Sequence, residues 1–281
     1  MARKQFDLNS LRKRKRDGEK ITMLTAYDCP TARLVDEAGV DVVLVGDSAA
    51  NVVLGYDDTV PVTMDELLVL CRAVRRGVKH AMLVGDMPFG SYQVCPEDAI
   101  RNGMRFMKEA GCDAVKLEGG GRMIDTIRAM VEAGVPVVGH LGLTPQTASL
   151  VGGYRVQGRT AESAKKMIEE AIRIAAAGAW MLVLELVPDR VAGEVAKAID
   201  IPVIGIGAGP EVDGQVLVLH DMLGVNEGFA PKFLKKYAAL GPTIREAAKE
   251  YIDDVKMKRF PGPEHSFGIE DGELAKLYGG S

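Results

Sequence analysis

The stretch VVLVGDSAAN, residues 42–51, sets four apolar residues before a glycine, Asp47 and Ser48. The plan returns at AMLVGD, residues 81–86, which closes on Asp86. A continuous apolar run fits a strand covered on both faces, as in a parallel sheet. An acid at the end of such a run either caps the next helix or stands at the rim of a site. Working outward, the strand candidates are ITMLTAY (21–27), DVVLVGD (41–47), AMLVGD (81–86), DAVKLEGG (113–120), VPVVGHLG (135–142), WMLVLELVP (180–188) and IPVIGIGAG (201–209), with a weaker eighth, QVLVLHD (215–221). Each is short, mostly rich in Val, Ile or Leu, and ended by Gly, Pro or a polar residue.

Between these runs lie helical patterns. Thr63 with Glu66 predicts a capping box before LLVLCRAVRRG. PEDAIRNGMRFMKEAG, RMIDTIRAMVEAG and ESAKKMIEEAIRIAAAG all stop at glycine, a favoured helix end. Ile244, Ala247, Ala248, Tyr251, Ile252 and Val255 form one apolar face of a terminal helix. Strand–helix alternation over this length predicts the α/β class and a (β/α)8 TIM-type barrel, a single domain with helical additions at both ends. The expected division is a basic helical segment at 1–20, the barrel at 21–260 and a tail at 261–281. A doubly wound sheet is the alternative, but no GxGxxG follows the first strand.

The chain is 47% hydrophobic with a formal net charge of −4, enough apolar material for one large core and no pointer to nucleic acid or membrane. The basic opening LRKRKRDGEK carries no interleaved aromatics. It reads as a solvated helix face or a subunit contact rather than an RNA-binding arm. Cys29, Cys71, Cys95 and Cys112 are scattered without a CxxC pair, as for free thiols in a reducing compartment. No apolar leader follows Met1, and no long charge-free apolar run occurs, so the expectation is a soluble cytoplasmic protein.

Six runs carry a functional-looking group at their C-terminal end: Asp47, Asp86, Glu118, His140, Glu185 and the GIGAG turn at 205–209. In a (β/α)8 barrel these ends meet at one mouth, where active sites lie. Any one acid serves as readily as a helix cap. Four together favour a site, because Glu118 and Glu185 are poorer caps than Asp. Two carboxylates about 5 Å apart repel by about 3 kcal/mol at an effective dielectric near 20. Three must protonate, separate or bind a cation. The ligands on offer are oxygens, with no Cys or multi-His cluster at metal spacing, which favours Mg²⁺ or a similar hard ion held by Asp47, Asp86 and Glu118, directly or through water. Lys116 precedes Glu118 by two residues, so both point to the same side of the strand. A buried ammonium needs a partner. A structural carboxylate would serve, but the acids above it favour an anionic substrate. Glu185 ends the most apolar strand, a setting that raises a carboxyl pKa and suits proton abstraction. His140 is a secondary acid or base.

The strings TAYD, VGDSAANVV, PVTMDEL, DMPFGSY, VKLEGG, GHLGLTPQ, GGYRVQGR, VLELVP, IPVIGIGAG, DGQVLVLHD and EHSF follow in order between about Thr22 and Phe267. On these the chain resembles the ketopantoate hydroxymethyltransferase family, in the wider phosphoenolpyruvate-binding barrel superfamily. The resemblance implies transfer of a hydroxymethyl group from 5,10-methylenetetrahydrofolate to 3-methyl-2-oxobutanoate through a Mg²⁺-stabilised enolate. The product would be 2-dehydropantoate, for pantothenate and coenzyme A synthesis. By carry-over, Asp47, Asp86 and Glu118 bind Mg²⁺. Ser48 and Lys116, with the two Asp residues, contact the oxoacid, and Glu185 accepts the proton. The resemblance also implies a homo-oligomer, often a decamer.

VVLGYDDTVPVT (52–63) reads as a lid over the mouth. In GGYRVQGR (152–159), Arg155 and Arg159 suit either the acidic tail of folate or a structural or subunit role. The chain departs from the family pattern at Asp58, where Ser or Thr is expected, at Gly85, where Ala is usual, and at Gly121, which replaces a frequent Glu. Two rival readings share the barrel. One is another Mg²⁺-dependent 2-oxoacid enzyme of the superfamily, a C–C lyase or phosphonate mutase. The other is a non-catalytic barrel that binds a metabolite or serves as an assembly subunit. The tail beyond Phe267 lies outside the resemblance.

Overall fold

The computed structural model describes residues 7–228 and 230–279. The chain runs α1 (Asn9–Asp17), β1 (Ile21–Thr25), α2 (Cys29–Glu37), β2 (Val42–Val45), α3 (Ala49–Val52), α4 (Met64–Gly77), β3 (Met82–Asp86), α5 (Pro96–Ala110), β4 (Ala114–Lys116), α6 (Met123–Glu132) and β5 (Val137–Gly142). It continues through α7 (Ala161–Ala176), β6 (Met181–Glu185), α8 (Asp189–Ala198), β7 (Val203–Ile206), β8 (Gly214–Leu217), α9 (Leu219–Met222), α10 (Leu240–Lys256) and α11 (Asp271–Lys276). The strands pair in parallel and in order. Met23 of β1 lies opposite both Val42 and Val216, so the sheet closes on itself. Closure is the (β/α)8 barrel expected from the strand–helix alternation, and it excludes the doubly wound alternative.

Closure sorts each strand by parity. Ile21, Met23, Val42, Leu44, Met82, Val84, Ala114, Val138, Met181, Val183, Ile204 and Val216 form one buried cluster inside the barrel. The intervening residues, such as Val43, Leu83, Val115, Val137, Leu182 and Val203, pack in a second cluster with the helices. Both faces are buried, which is why the strands read as unbroken apolar runs. Following the inward parity toward the C-terminal ends leads to Asp86, Lys116, His140 and Glu185, with Glu118 two residues past Lys116. The capping box read at Thr63 and Glu66 is present at the start of α4.

Three regions differ from the sequence reading. First, the basic opening is a docking helix rather than a solvated face. Leu11 of α1 joins the barrel-interior cluster. Lys15 Nζ donates to the carbonyls of Ala196 (2.7 Å) and Ile201 (3.0 Å) and pairs with Asp213 at 2.7 Å. Arg14 pairs with Asp41 at 2.6 Å, and Arg12 stacks over the Trp180 ring. Several of these partners sit just before strands, so α1 closes the N-terminal end of the barrel. Residues 1–6 of the expected basic segment lie outside those described. Second, the eighth strand ends at Leu217 rather than running to 221. Thr25 Oγ1 accepts the Leu219 N–H at 3.0 Å, and the chain turns into α9. Third, α10 forms where its periodicity places it, yet none of its residues is buried, and Ile244, Tyr251, Ile252 and Val255 stay exposed. The connection of β7 to β8, residues 207–213, carries no helix. No described helix is long and apolar enough to cross a membrane. All four cysteines are free.

Gly85 has a packing reason. A Cβ at this position would lie 2.5 Å from the Phe106 ring and 3.0 Å from Cys112 Sγ. Phe106 of α5 is fully buried and has little room to yield. Gly85→Ala is therefore expected to cost about 1–3 kcal/mol through overpacking. Urea unfolding measures this, and an unchanged midpoint would show that Phe106 moves without penalty.

Candidate active site

The C-terminal ends of the strands surround a cavity of about 190 Å³. Asp47, Ser48, Asp86, Lys116, Glu118, His140 and Glu185, all singled out in the sequence, line it together. Five of the seven follow from strand parity alone. Asp47 and Ser48 do not, because Gly46 takes the inward position after Leu44 and the acid enters from the turn above.

Lys116 is the electrostatic centre. Its ammonium stands 2.8 Å from Asp86 Oδ1, 3.7 Å from Glu118 Oε1 and 3.4 Å from His140 Nδ1. Lys116, Asp86, Glu118 and His140 are each under 5% exposed. Burial works against the ammonium, but Asp86, Glu118 and Asp47 outweigh it and hold Lys116 above the usual lysine range. Burial pushes Asp86 up; the Lys116 ammonium opposes this, and Asp47 and Glu118 add to it. Burial likewise raises Glu118 to about 8. His140 goes the other way, because burial and then the nearby ammonium disfavour a second positive charge.

His140 links the two halves of the site. Its Nδ1 faces Lys116 and lies 3.3 Å from Glu118 Oε1, while Nε2 lies 3.5 Å from Glu185 Oε2. An ammonium can only donate, so Nδ1 accepts and the neutral ring carries its hydrogen on Nε2, which makes no hydrogen bond although Glu185 lies nearby. Glu185 keeps 17% of its side-chain exposure, at the rim of the cavity. Burial, and then repulsion from Glu118, raise it to about 8. Its backbone is tightly placed. The Leu143 N–H donates to the Glu185 carbonyl at 2.8 Å, and Gly142 has φ 93° with no room for a Cβ beside that carbonyl. Leu186, the next residue, takes the left-handed φ of 47°, which turns the chain away from the strand.

Two residues that went unassigned hold the acids in place. Gln146, from the loop after β5, donates through Nε2 to Asp47 Oδ2 at 3.0 Å and to the Met87 carbonyl at 2.9 Å. Its backbone N–H donates to Glu118 Oε2 at 3.1 Å. The Tyr92 hydroxyl donates to Gln146 Oε1 at 2.7 Å and accepts the Glu118 N–H at 3.2 Å. Both residues sit in strings already noted, DMPFGSY and GHLGLTPQ, yet neither is charged. Their signal was position, in the loops that follow β3 and β5. Tyr27 plays a similar part for Ser48, with the two hydroxyls 2.8 Å apart. Thr59, from the expected lid, is buried and lines the cavity, and Tyr154 lines it from the 152–159 loop. Arg155 and Arg159 are exposed and do not line it.

The donors suit a hard divalent cation in kind. Asp86 Oδ1 and Glu118 Oε1 are buried and accept no hydrogen bond, and the Asp47 N–H donates to Asp86 Oδ2 at 2.9 Å, bringing those two residues together. They are not a ready-made shell. Among the described residues, no group of three His, Cys, Asp or Glu side chains is gathered closely enough to hold a metal, and the Lys116 ammonium occupies the flank of Asp86.

The sequence matches the ketopantoate hydroxymethyltransferase family over residues 5–263. A relative from Heliobacterium modesticaldum, named 3-methyl-2-oxobutanoate hydroxymethyltransferase, is 52% identical, covering 98% of this chain and 99% of its own. One of the same name from Syntrophobacter fumaroxidans is 56% identical over 92% of each chain. Among solved structures, a phosphoenolpyruvate phosphomutase from Streptomyces platensis subsp. rosaceus superposes with a TM-score of 0.61 at 16% identity, covering 98% of this chain and 96% of that one. A phosphonopyruvate hydrolase solved with oxalate and Mg²⁺ gives 0.56 at 13% identity, covering 97% and 94%. At such identities these two speak for the barrel fold alone.

The raised carboxyls set a pH dependence. A carboxyl whose pKa rises on folding holds its proton more tightly in the native state, so stability falls as pH rises from the ordinary value of 4.5 toward about 8. His140, lowered from 6.5, gives the opposite slope, but only below that pH. In metal-free protein the melting temperature is thus expected to fall between pH 6.5 and about 8. Glu185→Gln should make the fall shallower. Equal slopes for the two proteins would show that Glu185 is not held protonated by the fold.

Proposed function

The chain belongs to the ketopantoate hydroxymethyltransferase family, and from that premise we propose that it transfers a hydroxymethyl group from 5,10-methylenetetrahydrofolate to 3-methyl-2-oxobutanoate, forming 2-dehydropantoate for pantothenate synthesis. The observation that carries this reading is the pairing of a partly exposed base with a buried, charge-dense cavity: Glu185, raised to about 8, sits across His140 from Lys116 and three acids.

In this reading Asp47, Asp86 and Glu118, directly or through water, would hold Mg²⁺. Held there, the ion would supply positive charge beside the keto oxygen of the substrate as it becomes negative. Lys116 lies beside Asp86 and meets the anionic oxoacid, and Ser48, held by Tyr27, gives it a hydroxyl partner. Glu185 removes the proton from C3. A base with a pKa near 8 is a stronger acceptor than an ordinary carboxylate and still loses its own proton near neutral pH. Neutral His140 stands between Lys116 and Glu185, with Nε2 3.5 Å from the Glu185 carboxylate. The carbon that has lost its proton then attacks the methylene carbon carried by the folate, breaking its bond to one of the two folate nitrogens; water displaces the second nitrogen and provides the hydroxyl of the product, and the two nitrogens take up the C3 proton and one from water as tetrahydrofolate leaves. Residues 52–63 act as the lid, with Thr59 reaching the cavity. We place the protein in the cytoplasm, and the uncovered apolar face of α10 supports assembly into a homo-oligomer, decameric by resemblance.

Proton abstraction separates this function from the superfamily alternatives. The protein is expected to exchange the C3 hydrogen of 3-methyl-2-oxobutanoate with solvent deuterium without folate, when supplied with Mg²⁺, and the rate should climb with pH as Glu185, which burial holds above the usual carboxylate range, gives up its proton. NMR follows the exchange, and its absence counts against the assignment. Glu185→Gln should slow exchange by about 10²–10⁴-fold, with oxoacid binding largely kept. A chelator should stop product formation with both substrates present, and Mg²⁺ should restore it. Turnover that continues in excess chelator would remove the metal from the reading.

A further inference from the structure

Each of the three acids has one oxygen tied by an N–H of the protein. Asp86 Oδ2 accepts from the Asp47 backbone, Asp47 Oδ2 from the Gln146 side chain, and Glu118 Oε2 from the Gln146 backbone. The second oxygens are treated differently. Asp86 Oδ1 and Glu118 Oε1 accept no hydrogen bond and have only charge contacts with Lys116 and, for Glu118, His140. Gln146 holds Asp47 Oδ2 and leaves Oδ1. Two of the three ties therefore come from one uncharged residue.

The amide of Gln146 has only one workable orientation. Tyr92 spends its acceptor on the Glu118 N–H, so its hydroxyl hydrogen goes to Gln146 Oε1. That leaves both Nε2 hydrogens for Asp47 Oδ2 and the Met87 carbonyl. The flipped amide would set its oxygen against two other acceptors. Gln146 is 3% exposed, so water does not offer a substitute.

We propose that Gln146 is a positioning residue that presents Asp47 and Glu118 to a cation through one oxygen each, favouring a small octahedral ion over calcium. The proposal rests on the metal reading above. Calcium takes six to eight oxygens and readily accepts both oxygens of a carboxylate, whereas magnesium demands near-octahedral geometry. An acid with one oxygen already bonded to an N–H has one left to give. Groups that orient metal ligands in this way set affinity although they never touch the ion.

Mn²⁺ serves as the probe, with free ion read by electron paramagnetic resonance and with Mg²⁺ and Ca²⁺ as competitors. Gln146→Met keeps the length and the backbone N–H but removes both amide contacts. Its Mn²⁺ Kd is expected to rise about 10–100-fold, and its preference for Mg²⁺ over Ca²⁺ to narrow, with circular dichroism reporting an intact fold. Tyr92→Phe removes only the hydroxyl that orients the amide, and should shift both quantities the same way by less. A folded Gln146→Met protein with unaltered Mn²⁺ affinity and unaltered Mg²⁺ to Ca²⁺ ratio overturns the proposal. If that variant does not fold, unaltered values in Tyr92→Phe overturn it instead. Failure of the unsubstituted protein to bind Mn²⁺ would overturn the metal reading, and this proposal with it.

Discussion

A single ammonium, 4% exposed, stands among three acids at the top of the barrel, and the rest of the site depends on that contact. Removing charges from water costs several kcal/mol per ion, and a buried pair repays this only with close geometry and further hydrogen bonds. Lys116 and Asp86 meet the first condition at 2.8 Å. The second is met for the acids by N–H donors from the turn at Asp47 and from Gln146. One positive charge does not balance three negative ones, so the cluster is short of positive charge. That shortfall is why burial and repulsion push Asp86, Glu118 and Glu185 upward, and why a divalent ion and an anionic substrate suit the same place.

The barrel below makes this arrangement tolerable. Its interior layers are wholly apolar from Ile21 and Met23 up to Val84 and Val183. The polar layer occurs only where the strands end and the loops begin. Adjacent strands in register set neighbouring groups side by side: Asp86 of β3 pairs with Lys116 of β4. His140, inward on β5, stands between the Glu118 and Glu185 carboxylates. A neutral imidazole there separates two carboxylates that would otherwise repel more strongly, and leaves one of them, Glu185, partly exposed at the rim of the cavity. The ionisable groups are thus laid out around the barrel in strand order, from Asp86 of β3 to Glu185 of β6.

Much of this was legible in the sequence because it depends on local period and charge. Unbroken apolar runs mean strands buried on two faces, and an acid at the end of each run is visible without coordinates. Lys116 and Glu118 could be placed on one side of a strand by spacing alone. Gln146 and Tyr92 could not be singled out, because neutral residues in loops gain their role only from the partners that the fold brings to them. The docking of the basic helix on its own barrel was missed for the same reason. Arg12 and Lys15 look solvated in one dimension, but acceptors far along the chain, Ala179 through Asp213, collect at the barrel floor.

The sequence by itself determined the strands, their parallel order and the list of charged groups at their ends, since these follow from side-chain period and connection length. The tertiary structure alone decided that β8 closes on β1, that α1 rather than solvent covers the barrel floor, and which oxygen of each acid remains free. Those outcomes depend on distances between residues remote in the chain. No periodicity encodes such distances; they exist only once the sheet has closed and the loops have settled against one another.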